Sequence, residues 1–272
     1  MDLLIENWTT IAALMATGVF AGLLAGLLGV GGGIVIVPVL YFLFQAFNVS
    51  PESAMLIATA TSLATIVPTS ISSIRAHRSK GNVDFTLIKV WGMFILIGVL
   101  IGSWLVTQVN GQWLTVLFGV IATLSAFNML LGSKKAIFDD LPGKAGQSAM
   151  ASSVGLFSSL VGIGGGTLTV PMLTFCNYPA HKAIGTAAAV GLIISLPAAI
   201  IMLLVGQTPV DAPLGTFGLV NLVGFICIVP LTVFFAPIGA SLANKLDAQK
   251  LKKVFAVVLM ITGIRMLAQL FF

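Results

Sequence analysis

The amino-acid sequence predicts an all-α polytopic membrane protein made of two inverted repeats, each with one glycine-broken re-entrant hairpin and three transmembrane helices. Three observations lead there. The 272 residues are 58% hydrophobic and 8% charged, with a mean hydropathy of +1.11, whereas a soluble domain carries about 25% charged residues. Apolar runs of about 20 residues, the length that crosses a ~30 Å hydrocarbon core as a helix, recur along the whole chain. One unusual apolar phrase is also written twice, as GLLGVGGGIVIVP at Gly26–Pro38 and SLVGIGGGTLTVP at Ser159–Pro171.

The apolar segments fall at 9–28, 34–47, 53–74, 85–107, 113–132, 147–163, 167–176, 183–206, 216–243 and 254–272. Segments 34–47 and 167–176 are too short to span, and both directly follow the glycine phrase. At about 1.5 Å per residue the shorter one covers about half of the hydrocarbon core. A long apolar arm, a glycine break and a short apolar arm form the pattern of a hairpin that enters the bilayer and turns back. The hairpins are therefore 9–47 and 147–176. No Lys or Arg precedes the first apolar run, so it is expected to stay on the protein rather than act as a cleaved signal.

The repeat extends past the glycines. Gly29 matches Gly162 and Pro38 matches Pro171 at a separation of 133; IATATS at Ile57–Ser62 matches IGTAAA at Ile184–Ala189 at 127; Ile101–Leu114 matches Ile238–Leu251 at 137. The first repeat is 1–133 and the second 147–272, joined by a charged linker over 134–146 within Ser133–Gln147. Arg75, Arg78, Lys80 and Lys89 follow the 53–74 span; Lys134, Lys135 and Lys144 lie in the linker; Lys245, Lys250, Lys252 and Lys253 lie in the loop 244–253. Positive loops face the cytoplasm, and the loops near 108–112 and 207–215 have no Lys or Arg and face outside. The count gives six crossings (53–74, 85–107, 113–132, 183–206, 216–243, 254–272), one hairpin dipping in from each side, and both termini outside. If the long hairpin arms span fully, the alternative is eight helices in parallel repeats.

A glycine-broken hairpin starts a new helix inside the membrane. The first N–H groups of that helix have no intrahelical partner and its dipole end is positive, so it attracts anions. Gly31, Gly32, Gly33 and Gly164, Gly165, Gly166 are the expected tips, with the tight left-handed turn expected at Gly32 and Gly165. Thr167 opens the second short helix; Thr59, Thr61 and Ser62 lie early in one span and Thr186 is the repeat mate of Thr59. Their hydroxyls can donate to a central anion or back-bond to their own helices. Glu52 follows Ser50-Pro51 at a helix start, and is a candidate for coupling as well as capping. Arg265, the one cation well inside a span, is a candidate for gating or for snorkelling outward. Close packing of helices through small residues is the competing reading of the glycines.

Several classes are not expected. No HExxH, GxSxG or Walker pattern occurs, so an enzyme is not expected, nor a cofactor or a metal. Cys176 and Cys227 have no metal or redox spacing. The basic residues sit in short loops, so nucleic acid is not an expected partner; a small anionic substrate and the lipid bilayer are. The sequence fixes no oligomeric state.

The two phrases GVGGGIVIVP and GIGGGTLTVP, each followed by a Thr-containing span start (ATATS, IGTAA), resemble the TauE/SafE family of sulfite exporters over essentially the whole chain. The resemblance implies a bacterial inner-membrane carrier that exports sulfur-containing anions such as sulfite, sulfonates or sulfoacetate, coupled to the proton gradient. It places the site at Gly29–Gly33, Pro38, Thr59–Ser62, Gly162–Gly166, Pro171 and Thr186. The chain departs from the pattern at GTAAA, where Ala187 stands in place of a frequent serine. A passive anion channel and a non-transporting membrane scaffold are the alternatives.

Overall fold

A computed structural model describes residues 8–29, 31–131, 138–242 and 248–269. The described chain forms the helices α1 (Trp8–Leu28), α2 (Gly33–Ala46), α3 (Pro51–Arg78), α4 (Phe85–Val106), α5 (Gly111–Leu131), α6 (Lys144–Val161), α7 (Gly166–Phe175), α8 (Ala180–Leu204), α9 (Leu222–Leu242) and α10 (Ala248–Ala268). A hairpin of two short strands, β1 (Thr216–Phe217) and β2 (Val220–Asn221), precedes α9. The protein is a multi-pass helical membrane protein. Six described helices are long and apolar enough to cross a bilayer: α1, α3, α4, α5, α8 and α9.

Local chemistry sets the helix ends. Ser50 caps α3, its hydroxyl accepting from Ser53 N at 3.4 Å, with Pro51 in the first turn, where its missing N–H costs nothing. Asp84 caps α4 by accepting from Thr86 N and Leu87 N at 2.9 and 3.1 Å. The two short helices stop in the same way. Asn48 and Asn177 both take positive φ, 62° and 56°. The next N–H reaches back into the helix, Val49 to Phe44 O and Tyr178 to Leu173 O, which satisfies carbonyls that the helix end leaves open.

Packing joins the two halves through backbone contact. α1 runs in the same direction as α9: a Cβ on Gly18 would lie 2.9 Å from Ile228 O, on Gly22 2.8 Å from Thr232 O and on Gly26 1.9 Å from Ala236 O. α4 and α6 pack alike, with Gly98 against Ser152 O and Gly155 against Ile95 O. Lipid gives helices no hydrophobic reason to associate, so such glycine rows let dispersion and backbone contact hold them. At the centre, α3 and α8 run antiparallel. Gly191 of α8 faces Ile66 and Ser70 of α3, and Gly185 near the start of α8 faces Asn82 beyond the end of α3. α5 and α10 also run antiparallel, with Gly119 against Leu267 and Gly263 against Thr123.

Two carboxylates tie the central pair at opposite ends, 127 residues apart in sequence. Asp84, in the loop after α3, accepts from the Tyr178 hydroxyl before α8, and its backbone N donates to Thr186 Oγ1 at 3.0 Å. Asp211, in the loop after α8, accepts from Ser50 N at 2.7 Å and from Ser53 Oγ at 2.6 Å at the start of α3. The Ser53 hydroxyl bond, with smaller help from Ser50, draws the Asp211 carboxyl down to about 2. A carboxyl lowered on folding stabilises above its ordinary value near 3.8 and loses that stabilisation as pH falls through about 2. We therefore expect slow hydrogen exchange at the Ser50 amide, which donates to Asp211, from pH 4 to pH 8. Asp211→Asn, which cannot hold both donors as a charged acceptor, should speed that exchange at every pH in the range.

Two expectations are corrected. The run 216–243 is not one span: Gly215 and Gly218 take φ of 80° and 55°, a β-turn closes Thr216 on Asn221, and the helix starts at Leu222. Asn221 fixes that start, its Oδ1 accepting from Gly224 N at 2.8 Å. Segment 9–28 lies in α1, 21 residues or about 31 Å, which gives it the length for the full crossing that the sequence left open. In the last segment, 254–272, the helix begins earlier, at Ala248, and its apolar part is Ala256–Ala268; residues 270–272 lie outside the described chain. The remaining spans shift by a few residues, as α3 51–78, α4 85–106, α5 111–131 and α8 180–204, and the linker ends where α6 begins at Lys144.

Candidate anion site

Each glycine phrase breaks slightly earlier than expected, over 29–32 and 162–165. Gly29, Gly31 and Gly32 take φ of 66°, 73° and 82°; Gly162 and Gly164 take 74° and 67°. Gly165 does not share the left-handed turn expected of it: it is right-handed, φ −74°, and caps α7. Its constraint is steric, since a Cβ there would lie 2.6 Å from Val190 Cγ1 and 3.0 Å from Gly191 N.

The two tips meet. A Cβ on Gly33, the first residue of α2, would lie 2.5 Å from Gly162 O and 2.9 Å from Ile163 Cα. Gly31 faces Ile66, and Gly165 faces Gly191. Gly31, Gly32, Gly33, Gly164, Gly165 and Gly166 are all buried. The chain thus gathers both glycine phrases, the middle of α3 and the middle of α8 in one place.

The two helix starts differ in surroundings. α2 opens on Ile34 and Ile36, both buried, and packs on Ile66 and Ala21. α7 opens on Thr167 and Thr169. Its first internal bond is Thr169 N to Gly165 O at 2.9 Å, so the N–H groups of Gly166, Thr167 and Leu168 have no partner within the helix. Ser70 of α3 stands beside this end. The space where a side chain of Gly191 would sit is bordered by Ser70 Oγ at 3.1 Å and Gly165 N at 3.8 Å. Ser70 is 1% exposed and Thr167 6% exposed, and neither hydroxyl has a hydrogen-bond partner.

An unpaired buried hydroxyl costs about 1–3 kcal/mol, yet the described chain holds seven: Thr59, Ser70, Ser73, Ser158, Thr167, Thr169 and Ser195. All lie on α3, α6, α7 or α8. Two of them, Ser70 and Thr167, stand at the positive end of α7 and away from water, where donors without acceptors suit an oxyanion.

The other expected residues separate from this cluster by their bonds. Thr59 lies against Gly162 and its hydroxyl is unpartnered. Ser62 donates to Gly162 O at 2.7 Å, so its proton already holds the second tip. Thr61 Oγ1 accepts from Asn221 N at 2.8 Å and Thr186 Oγ1 accepts from Asp84 N; these tie loops to the central helices. Pro38 and Pro171 lie inside α2 and α7. Glu52 accepts from Gln112 Nε2 at 2.6 Å at the start of α3, and Arg265 is exposed with its guanidinium carbon 4.4 Å from the Phe42 ring centre. The structure brings neither to the tips.

Ser70, Ser73, Ser158 and Ser195 escaped the sequence reading, because a serine on an apolar helix looks alike whether it faces a neighbour's carbonyl or an unpaired gap. A cavity of about 390 Å³ lined by Phe138, Asp140, Met150, Met172, Phe175 and Cys176 lies by the linker, but mostly apolar walls with one carboxylate do not suit an anion. Among the described residues no group of three metal-ligating side chains occurs.

The family described as sulfite exporter TauE/SafE matches residues 14–266. A probable membrane transporter protein of Haemophilus influenzae is 31% identical, with 95% of this chain and 98% of that protein covered. Probable membrane transporter proteins of Bacillus subtilis and Methanocaldococcus jannaschii are each 26% identical, covering 93% of this chain and 96% and 94% of their own lengths. No solved structure matches the chain.

Proposed function

Because the chain belongs to the sulfite exporter TauE/SafE family, a family of membrane transporters, we propose that it is a secondary-active carrier exporting a small sulfur-containing anion such as sulfite, a sulfonate or sulfoacetate. The anion binds at the start of α7, taking hydrogen bonds from the Ser70 and Thr167 hydroxyls and from the first N–H groups of the helix. The observation that carries this reading is the pair of buried, unpartnered hydroxyls at that helix end. Removing an anion from water costs several kcal/mol. Each hydrogen bond to a charged group returns about 1.5–3 kcal/mol, and a helix end up to about 2 kcal/mol, so two hydroxyls and two or three N–H groups suffice.

The two halves act as inverted repeats. The antiparallel course of α3 against α8, repeat mates in sequence, supports this reading. In that arrangement the N-terminus and the loops near 108–112 and 207–215 lie outside. The linker and the loop 244–253 lie in the cytoplasm, with the inner membrane as the location. The hairpins enter from opposite faces and their tips touch where Gly33 meets Gly162. Rocking one half against the other would part the Asp84 tie on one side or the Asp211 tie on the other, opening the α7 end to each face in turn.

Counterflow in liposomes tests the function. Vesicles preloaded with sulfite, sulfoacetate, taurine, sulfate or chloride are mixed with labelled sulfite. Saturable uptake driven by a trans sulfur anion is expected. Flux that neither saturates nor shows counterflow means a channel, and no flux from folded protein means a scaffold.

A further inference from the structure

We propose that His77 is the site at which this protein takes up a proton, and that its charge sets the affinity of the buried anion site; this rests on the anion-site reading above. His77 lies in the last turn of α3 and is 3% exposed. Its Nε2 stands 3.0 Å from Gly26 O, one of the last-turn carbonyls that α1 cannot bond itself. A carbonyl only accepts, so Nε2 carries the hydrogen and Nδ1 is a bare lone pair. That Nδ1 is buried with no partner. It is the one atom of the ring that the fold leaves open, and a proton is what it can take.

His77 ends a row. Ser70, Ser73 and His77 are spaced three and four along α3 and so share one face. Ser73 Oγ is likewise buried and unpartnered, and Ser70 borders the start of α7. The row climbs about 10 Å, at about 1.5 Å per residue, from the anion site towards the aqueous side at which α3 ends. The same positions one repeat later, 127 residues on, are Pro197, Ile200 and Leu204 of α8, so the opposite half carries no such row.

The charge facing His77 is Lys80, whose Nζ holds Ala240 O at 2.6 Å near the end of α9. The described part of α1 has no ionisable side chain, and α9 has only Cys227, thirteen residues before Ala240. Arg75 and Arg78 share the last turn of α3, and His181 and Lys182 stand exposed at the start of α8.

The step is simple. A proton from water adds to the Nδ1 lone pair, no bond of the protein breaks, and Nε2–H stays on Gly26 O at the negative end of α1. The imidazolium then sits about 10 Å from the anion. At an effective dielectric constant of about 20, a unit charge at that distance tightens anion binding by about tenfold. By linkage, bound anion raises proton affinity by the same factor.

The chain has two histidines, so nitrogen-15 NMR of histidine-labelled protein in nanodiscs gives two signals, assigned with His181→Gln. Expected for His77 are the Nε2–H tautomer at pH 8, protonation of Nδ1 between pH 8 and pH 4, and a midpoint that rises by about one pH unit with saturating methanesulfonate, a monoanion throughout this range. An Nδ1–H tautomer, or no protonation down to pH 4, overturns the proposal. His77→Gln keeps an amide donor for Gly26 O but cannot titrate; it should abolish the pH dependence of methanesulfonate counterflow between pH 8 and pH 5, and a variant that keeps the wild-type dependence overturns the proposal. If this variant does not fold, the wild-type titration decides. If wild-type protein moves no anion, the anion-site reading falls while the Nδ1 titration still decides whether His77 takes a proton.

Discussion

A Ser70→Ala/Thr167→Val double variant is expected to lose anion binding by roughly 10²–10⁴-fold while remaining folded, with a melting temperature equal to or above that of the wild type. Each hydroxyl contributes about 1.5–3 kcal/mol to a bound anion. Without the anion, neither has a hydrogen-bond partner, so removing them breaks no internal bond and relieves two buried polar groups. Ser62→Ala is the contrast. Its hydroxyl holds Gly162 O, and losing it leaves a buried carbonyl unpaired, so stability should fall by about 1–3 kcal/mol. Isothermal titration with sulfite and thermal unfolding in detergent read both quantities. Loss of binding together with loss of fold in the double variant would place Ser70 and Thr167 in the packing instead.

Gly26→Ala should be among the most damaging single-methyl changes in the chain. The added Cβ would stand 1.9 Å from Ala236 O and 2.5 Å from Ala240 N, both backbone atoms that no rotamer change can move. α1 must separate from α9, and the same residue's carbonyl would leave His77. Overpacking of this kind costs about 1–3 kcal/mol or more, to which the displaced His77 bond adds about 1 kcal/mol. Gly92→Ala is the control: its nearest neighbour would be Ile193 Cδ1 at 3.9 Å, and helix propensity favours alanine by about 1 kcal/mol. Circular dichroism melts of the two variants should therefore move in opposite directions.

Much of this was legible in the sequence because membrane helices are written in long apolar runs. The start of α3 could be read from Ser50-Pro51, and the breaks around 29–32 and 162–165 from their glycines. The difference between the two short helices was also visible, since Ile34 and Ile36 follow one glycine phrase where Thr167 and Thr169 follow the other. What periodicity could not supply was partnership. Thr61, Ser62 and Thr186 looked like a row of free donors, yet each meets a backbone group at least 100 residues away, while Ser70 looked ordinary. Asp211 was unremarkable until the fold set it against Ser50 and Ser53, about 160 residues earlier. The strand pair at Thr216–Asn221 was hidden because its apolar residues Phe217, Leu219 and Val220 run on into the apolar helix that follows.

Locating the bound anion tests the α7 site most directly. Crystals grown with selenite, the selenium counterpart of sulfite, would show its position by anomalous scattering. One buried peak is expected within hydrogen-bond distance of Ser70 Oγ, Thr167 Oγ1 and the first N–H groups of α7. A peak at the start of α2 against Gly32 and Gly33, or only on the basic loops, would contradict the α7 site.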